Sequence, residues 1–247
     1  MLALLTLIAL ADPVPVNLVR VAAAADLRFA LDELVARYEK VNPNVDVRVS
    51  YGSSGNFFAQ LSEGAPFDVF LSADIDYPSK LVASGVCAKD SLFPYAVGRI
   101  VLWAKKGSVV DPQQGLRALV DAKVKKIAIA NPRHAPYGRA ATAALEHAAV
   151  SKAVQDKLVF GENVSQAAQL AESGAADAGI IAKSLALSPA MSAQGTWWEV
   201  PADSYPKLLQ GGCVIAKGNR ARASAVRELL LADEGREVLR RFGFLVP

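Results

Sequence analysis

Short apolar runs alternate along this chain with segments whose apolar residues recur three and four positions apart. Asn17–Ala24 reads as a strand buried on both faces. Behind it Leu27, Ala30, Leu31, Leu34, Val35 and Tyr38 share one helical face, with Asp32, Glu33, Arg37 and Glu39 on the others. Asn42-Pro43-Asn44 interrupts the pattern, and Val45, Val47, Val49 and Tyr51 then alternate with polar residues as a half-buried strand. Residues 67–72 are predicted as a third strand. A second series follows, with strands at 99–104, 126–130 and 178–181 and helices at 139–149, 151–157 and 165–173. A late strand at 213–217 and one long helix at 222–241, containing Gly235, close the chain.

Strands alternating with helices predict an α/β fold of mainly parallel sheets covered by helices on both faces. In such sheets ligands sit beyond the carboxyl ends of strands, where the strand order reverses. Two strand-to-helix junctions are made of small or hydroxyl residues: Ala22-Ala23-Ala24-Ala25-Asp26, and Gly52-Ser53-Ser54-Gly55-Asn56. At a helix start the first N–H groups lack intrahelical partners and the macrodipole adds partial positive charge. Small residues expose that backbone, so each junction is suited to an anion.

The 247 residues suffice for one large domain or two small ones, and 52% hydrophobic with 21% charged residues is a globular composition. A net charge of +3, with basic residues scattered in pairs such as Lys105-Lys106, argues against a nucleic-acid partner. Residues 1–11 are uncharged and mostly Leu, Ile and Ala, and Ala9-Leu10-Ala11 fits a signal-peptidase site before Asp12. The expectation is an exported, periplasmic protein whose leader lacks the usual basic start. Cys87 and Cys213 are the only cysteines. They form either one disulfide or two buried thiols, and supply no metal cluster.

Two further loops lead from strands into helices. Asn131-Pro132-Arg133-His134-Ala135-Pro136-Tyr137-Gly138 puts Tyr137 at a helix start, where it either offers its N–H and phenol as donors to a ligand or covers a hydrophobic cluster. Gly161-Glu162-Asn163-Val164-Ser165 offers the N–H of Val164 in the same way. The Gly-Ser-Ser-Gly loop is no Walker loop, since no Gly-Lys-Ser/Thr follows, and it lacks Gly-x-Ser-x-Gly spacing. His134 and His147 are the only histidines, and spacing assigns neither an acid partner. No catalytic residue, cofactor or metal is expected.

Taken in order, these motifs resemble the periplasmic molybdate-binding proteins of ABC importers, within the larger class of two-lobe solute-binding proteins. The resemblance runs from about Val19 to the end. It rests on Val21-Ala22-Ala23-Ala24, Tyr51-Gly52-Ser53-Ser54-Gly55, the stretch from Gly64 through Pro66-Phe67-Asp68 to Ala73-Asp74, Ile129-Ala130-Asn131-Pro132, Ala135-Pro136-Tyr137-Gly138, Glu162-Asn163-Val164 and Arg241-Phe242-Gly243-Phe244. It implies a type II periplasmic-binding-protein-like fold. Residues 12–97 with 206–247 would form one lobe and 98–205 the other, hinged near 99–103 and 211–214. It also implies an oxyanion site at Ala25, Asp26, Ser53, Ser54, Tyr137 and Val164, with Ser54 giving N–H and hydroxyl. The partners implied are a small oxyanion and a membrane permease, for a monomeric, non-enzymatic carrier. Molybdate or tungstate is the first expectation, and sulfate or a phosphate-like anion the alternative. A small-anion enzyme and the sensing domain of a regulator are the competing classes; the regulator would need a DNA-binding segment, for which no room is expected before Asn17.

Two positions depart from the pattern. The first-loop donor, usually a serine, falls on Asp26, and a carboxylate at 4 Å from a dianion costs about 4 kcal/mol per unit-charge pair at an effective dielectric near 20. Asp26 either caps its own helix, takes a proton from a protonated oxyanion, or is neutralised by Arg28 or Arg139; the capping role is the favoured expectation. The second departure is Ala182, where many relatives carry a ligand-binding tyrosine. Tyr137 is expected to supply that phenol instead.

Overall fold

The computed structural model describes residues 17–246, so the expected leader and its cleavage site lie outside the described residues. Two five-stranded sheets form the scaffold. The first begins with β1 (Asn17–Ala24), which is buried from Val21 to Ala24 and carries the exposed Arg20 before that stretch. It is followed by a 3-10 turn at Ala25–Leu27 and by α1 (Arg28–Val41). Then come β2 (Val45–Gly52), α2 (Ser54–Ser62), β3 (Val69–Ser72), α3 (Asp76–Ala83) and β4 (Phe93–Gly98).

The second sheet opens with β5 (Ile100–Lys105) and β6 (Ile127–Ala130). It continues through α4 (Pro136–His147), α5 (Ser151–Val154), β7 (Leu158–Gly161), α6 (Val164–Glu172) and β8 (Ala178–Ala182). Two short helices, α7 (Lys183–Ala186) and α8 (Pro189–Gln194), precede β9 (Gly195–Glu199). The chain then returns to the first sheet as β10 (Leu208–Val214), followed by α9 (Arg220–Leu231) and α10 (Asp233–Arg241).

The strand orders are β2-β1-β3-β10-β4 and β7-β6-β8-β5-β9. Both sheets are mixed. The triplets β2-β1-β3 and β7-β6-β8 are parallel, whereas β10 runs antiparallel to β3 and β4, and β5 antiparallel to β8 and β9. The expectation of mainly parallel sheets holds for the triplets. The antiparallel strands are those through which the chain passes from one sheet to the other. In each triplet the carboxyl ends of the strands lead into the α2, α4 and α6 loops.

Alternation along β1 splits the first sheet's core. Val19, Val21 and Ala23 pack with α1, α9 and α10, while Ala22 faces Phe57, Leu61, Phe70, Leu81 and the two cysteines beneath α2 and α3. Cys87 and Cys213 are joined, deciding between the two alternatives in favour of the disulfide. The second sheet has its own core of Ile127, Ile129, Ile180, Ile181, Trp103 and the alanine faces of α4 and α6.

Beyond shifts of a few residues at element ends, three differences from the sequence reading concern the strand crossings and the end of the chain. The late strand starts five residues earlier, because Gln210 and the glycine pair sit inside β10. The terminal helix is two helices, broken where Ala232 turns extended (ψ 158°). Gly235 lets α10 fold back, since a Cβ there would lie 1.8 Å from the Leu229 carbonyl. Residues 211–214 are paired with β3 rather than crossing. The crossings are Arg99, between β4 and β5, and residues 200–207 between β9 and β10. They are tied together by Glu199, which pairs with Arg99 at 2.7 Å and Lys183 at 2.6 Å.

Candidate oxyanion site

The carboxyl ends of β1, β2 and β3 face the loops that follow β6 and β7. Ala24, Ala25, Asp26, Gly52, Ser53, Ser54 and Ala73 from one side meet Ala135, Pro136, Tyr137 and Val164 from the other around a small, nearly closed compartment. All six sequence-designated residues, Ala25, Asp26, Ser53, Ser54, Tyr137 and Val164, line it, and no lysine, arginine or histidine does. An outer, more open cavity of about 200 Å³ adjoins through Ala25 and is lined by Arg28, Tyr51, Glu162 and Asn163.

Three helices point their N-termini here. Ser54 is the first residue of α2, Tyr137 the second of α4, and Val164 the first of α6. Neighbouring N–H groups are already taken: Asn56 donates to Ser53 Oγ, Ser165 and Gln166 donate to Asn163 Oδ1, and Gly55 donates to the His134 carbonyl at 2.9 Å. Among the described residues the N–H groups of Ser54, Tyr137 and Val164 have no protein acceptor. Such groups, at the positive ends of helix dipoles, are fitted to an anion. The Ser54 hydroxyl accepts from the Ala73 N–H at 3.0 Å, which fixes its oxygen and leaves its proton available.

Asp26 is 1% exposed and does not cap α1: its 3-10 turn has no side-chain cap. Its Oδ2 instead accepts from the Tyr137 phenol at 2.9 Å and from Gln210 Nε2 at 2.5 Å, and Gln210 also donates to the Tyr137 oxygen at 3.1 Å. The expected cap is not formed as a hydrogen bond: the side chain turns chiefly to β10 and α4, and the N–H groups of Asp26 and Leu27 in its own turn only help to stabilise its charge. Neither arginine neutralises it. Arg28 lies over the Tyr51 ring, and Arg139 pairs with Asp74 at 2.6 Å. Burial pushes the Asp26 carboxyl up to about 6, against the lowering effect of the Gln210 and Tyr137 bonds. The Tyr137 phenol is raised well above its ordinary value by burial and by the adjacent carboxylate. This phenol serves Asp26 and is not the donor expected to replace a tyrosine at position 182. Ala182 itself is buried opposite Ile100, outside the compartment's walls.

Sequence reasoning missed three residues. Gln210 is the lone polar side chain in Leu208-Leu209-Gln210-Gly211-Gly212-Cys213-Val214, a signal that a strand starting at 208 would have revealed. Ser184 Oγ donates to the Asp26 carbonyl at 2.7 Å and holds the 3-10 turn from the α7 side. His134 stands across the cleft, its Nδ1 2.9 Å from Ser53 Oγ and its Nε2 3.5 Å from the exposed Glu162 carboxylate. Ser53, His134 and Glu162 thus touch in sequence, yet Ser53 also caps α2, so the contact bridges the two sheets.

A family model described as bacterial extracellular solute-binding protein matches residues 19–245. The chain belongs to that family. This solute-binding protein is 35% identical over 227 residues to the molybdate-binding protein ModA of Azotobacter vinelandii, covering 92% of this chain and 89% of that one. It is 34% identical to ModA of Rhodobacter capsulatus, covering 98% and 94%. Among solved structures, the periplasmic molybdate-binding protein of Azotobacter vinelandii superposes with a TM-score of 0.86 at 32% identity, over 93% of this chain and 99% of that one.

Proposed function

We propose that this protein captures a tetrahedral oxyanion, molybdate first and tungstate next, outside the cytoplasm and hands it to an ABC-importer permease. The observation that carries this reading is the convergence of the Ser54, Tyr137 and Val164 N–H groups, from three helices on two sheets, on one small compartment without a cationic side chain. Neutral fixed dipoles select an anion by size and donor geometry. The relatives named as molybdate-binding favour molybdate over sulfate or a phosphate-like anion.

The lobes are taken as 12–97 with 206–247, and 98–205. They open by bending at Arg99 and at 200–207, and the ligand favours closure because it touches both. The protein acts as a periplasmic, non-enzymatic monomer in this reading. Among the described residues no helix is long and apolar enough to span a membrane. Titration calorimetry with molybdate, tungstate, sulfate and phosphate in neutral buffer tests it: saturable heat with molybdate or tungstate is expected. Absence of heat with all four anions would overturn the proposal.

A further inference from the structure

Asp26 has one carboxylate oxygen more than its neighbours use. Oδ2 takes both Tyr137 and Gln210, while Oδ1 is buried with no hydrogen-bond partner, beside a compartment that Asp26 itself lines. A buried acceptor without a donor is costly, and native structures supply one. The backbone N–H groups of Asp26 and Leu27 lie close enough to favour the charged carboxyl, yet neither completes a hydrogen bond to Oδ1. The side chains facing Asp26 hold no donor to spare. From α4 comes the Tyr137 phenol and from β10 the Gln210 amide, both spent on Oδ2. From β4 comes Tyr95, whose hydroxyl donates to the Ser72 carbonyl at 3.0 Å, and from α7 comes Ser184, which donates to the Asp26 carbonyl. Arg28 turns to Tyr51 and Arg139 to Asp74. Among the described residues no cationic side chain pairs with the carboxylate.

An oxyanion on the Ser54, Tyr137 and Val164 N–H groups would share this compartment with the carboxylate. Two anionic oxygens in one dry space repel, whereas the same two oxygens with a proton between them form a short charge-assisted O–H···O bond. We infer that the site takes its oxyanion together with one proton, held between Asp26 Oδ1 and a ligand oxygen. The inference rests on the oxyanion reading above. The balance is simple: the Asp26 carboxylate, one proton from solvent and the dianion give a carboxylic acid bonded to the dianion, and only an O–H bond is formed. Burial, which raises this carboxyl to about 6, favours the same protonated state.

Calorimetry with sodium molybdate between pH 7 and 8.5, in buffers of different ionisation enthalpy, counts the protons directly. About one proton taken up per molybdate is expected, with Kd rising about tenfold per pH unit. Asp26→Asn supplies an amide donor without a proton, so uptake should vanish and Kd should become flat with pH. Binding by the wild type without uptake overturns this inference alone. Uptake that persists in D26N overturns it too, pointing to another group such as His134. Should D26N fail to fold, the wild-type count and pH slope decide alone. No molybdate binding at any pH overturns the oxyanion reading and this inference with it.

Discussion

The Tyr137 phenol, carried on α4, donates to Asp26 Oδ2 at 2.9 Å across the gap between the two sheets. That bond joins the helix that follows β6 to the turn that follows β1, and it buries both groups completely. A residue that the sequence offers as a ligand donor thus spends its hydroxyl on closing the cleft.

Tyr137→Phe removes this donor and leaves Gln210 as the one side chain donating to the Asp26 carboxylate. Losing a bond to a buried carboxylate costs about 1.5–3 kcal/mol. Denaturant unfolding should show a loss of that size, and oxyanion affinity should fall because closure is weakened. A stability within about 0.5 kcal/mol of wild type would mean that the bond is not formed in solution.

The raised carboxyl makes a signed pH prediction. Asp26 moves from 3.8 to about 6 on folding, so between those values the native state holds more of this proton than the unfolded chain. Its stabilising contribution is fully present below the unfolded value and is lost as pH rises through about 6. The ceiling is about 3 kcal/mol, from 1.36 kcal/mol per unit. Glu33 is shifted the opposite way, chiefly by the Arg241 hydrogen bond, so the quantity to measure is the difference between wild type and D26N. That difference should move in favour of the wild type as pH falls from about 6 to about 4; a constant difference contradicts the burial argument.

Gly55 brings the backbone of the β2–α2 junction against that of the loop after β6. Its N–H donates to the His134 carbonyl at 2.9 Å, and a Cβ would lie 2.6 Å from that same oxygen. Gly55→Ala should therefore hold the cleft ajar, weakening oxyanion binding by about tenfold or more, the equivalent of 1.4 kcal/mol. Unfolding stability should change by less than about 1 kcal/mol, since alanine suits a helix interior. Wild-type affinity in this variant would refute the contact.

The Cys87–Cys213 disulfide spans 126 residues and encloses the whole second sheet. Chain entropy for a loop of that length gives about 4–5 kcal/mol, and measured losses usually fall at about 2–5. Replacing both cysteines by serine should lower the midpoint of thermal unfolding, and a reductant should do the same to the wild type alone. Equal midpoints with and without reductant would count against the bond.

The local signals in this chain are strong where a single element carries them. The apolar residues of β1, the 3.6-residue stripe of α1 and the strand-to-helix loops at Ala25, Ser53-Ser54, Tyr137 and Val164 predict strand, helix and exposed backbone N–H because each depends on near neighbours. The break at Ala232 and the antiparallel return through β10 are not visible in that way, since both follow from packing against distant strands.

The sequence by itself marked four strand-to-helix junctions with exposed backbone N–H groups, because those positions follow from local turns; that the junctions meet was implied only by the resemblance. Only the tertiary structure decided what Asp26 does. Its partners lie 111 and 184 residues away, on α4 and β10, and the carboxylate turned from its own helix to them because burial between two sheets left no water to satisfy it.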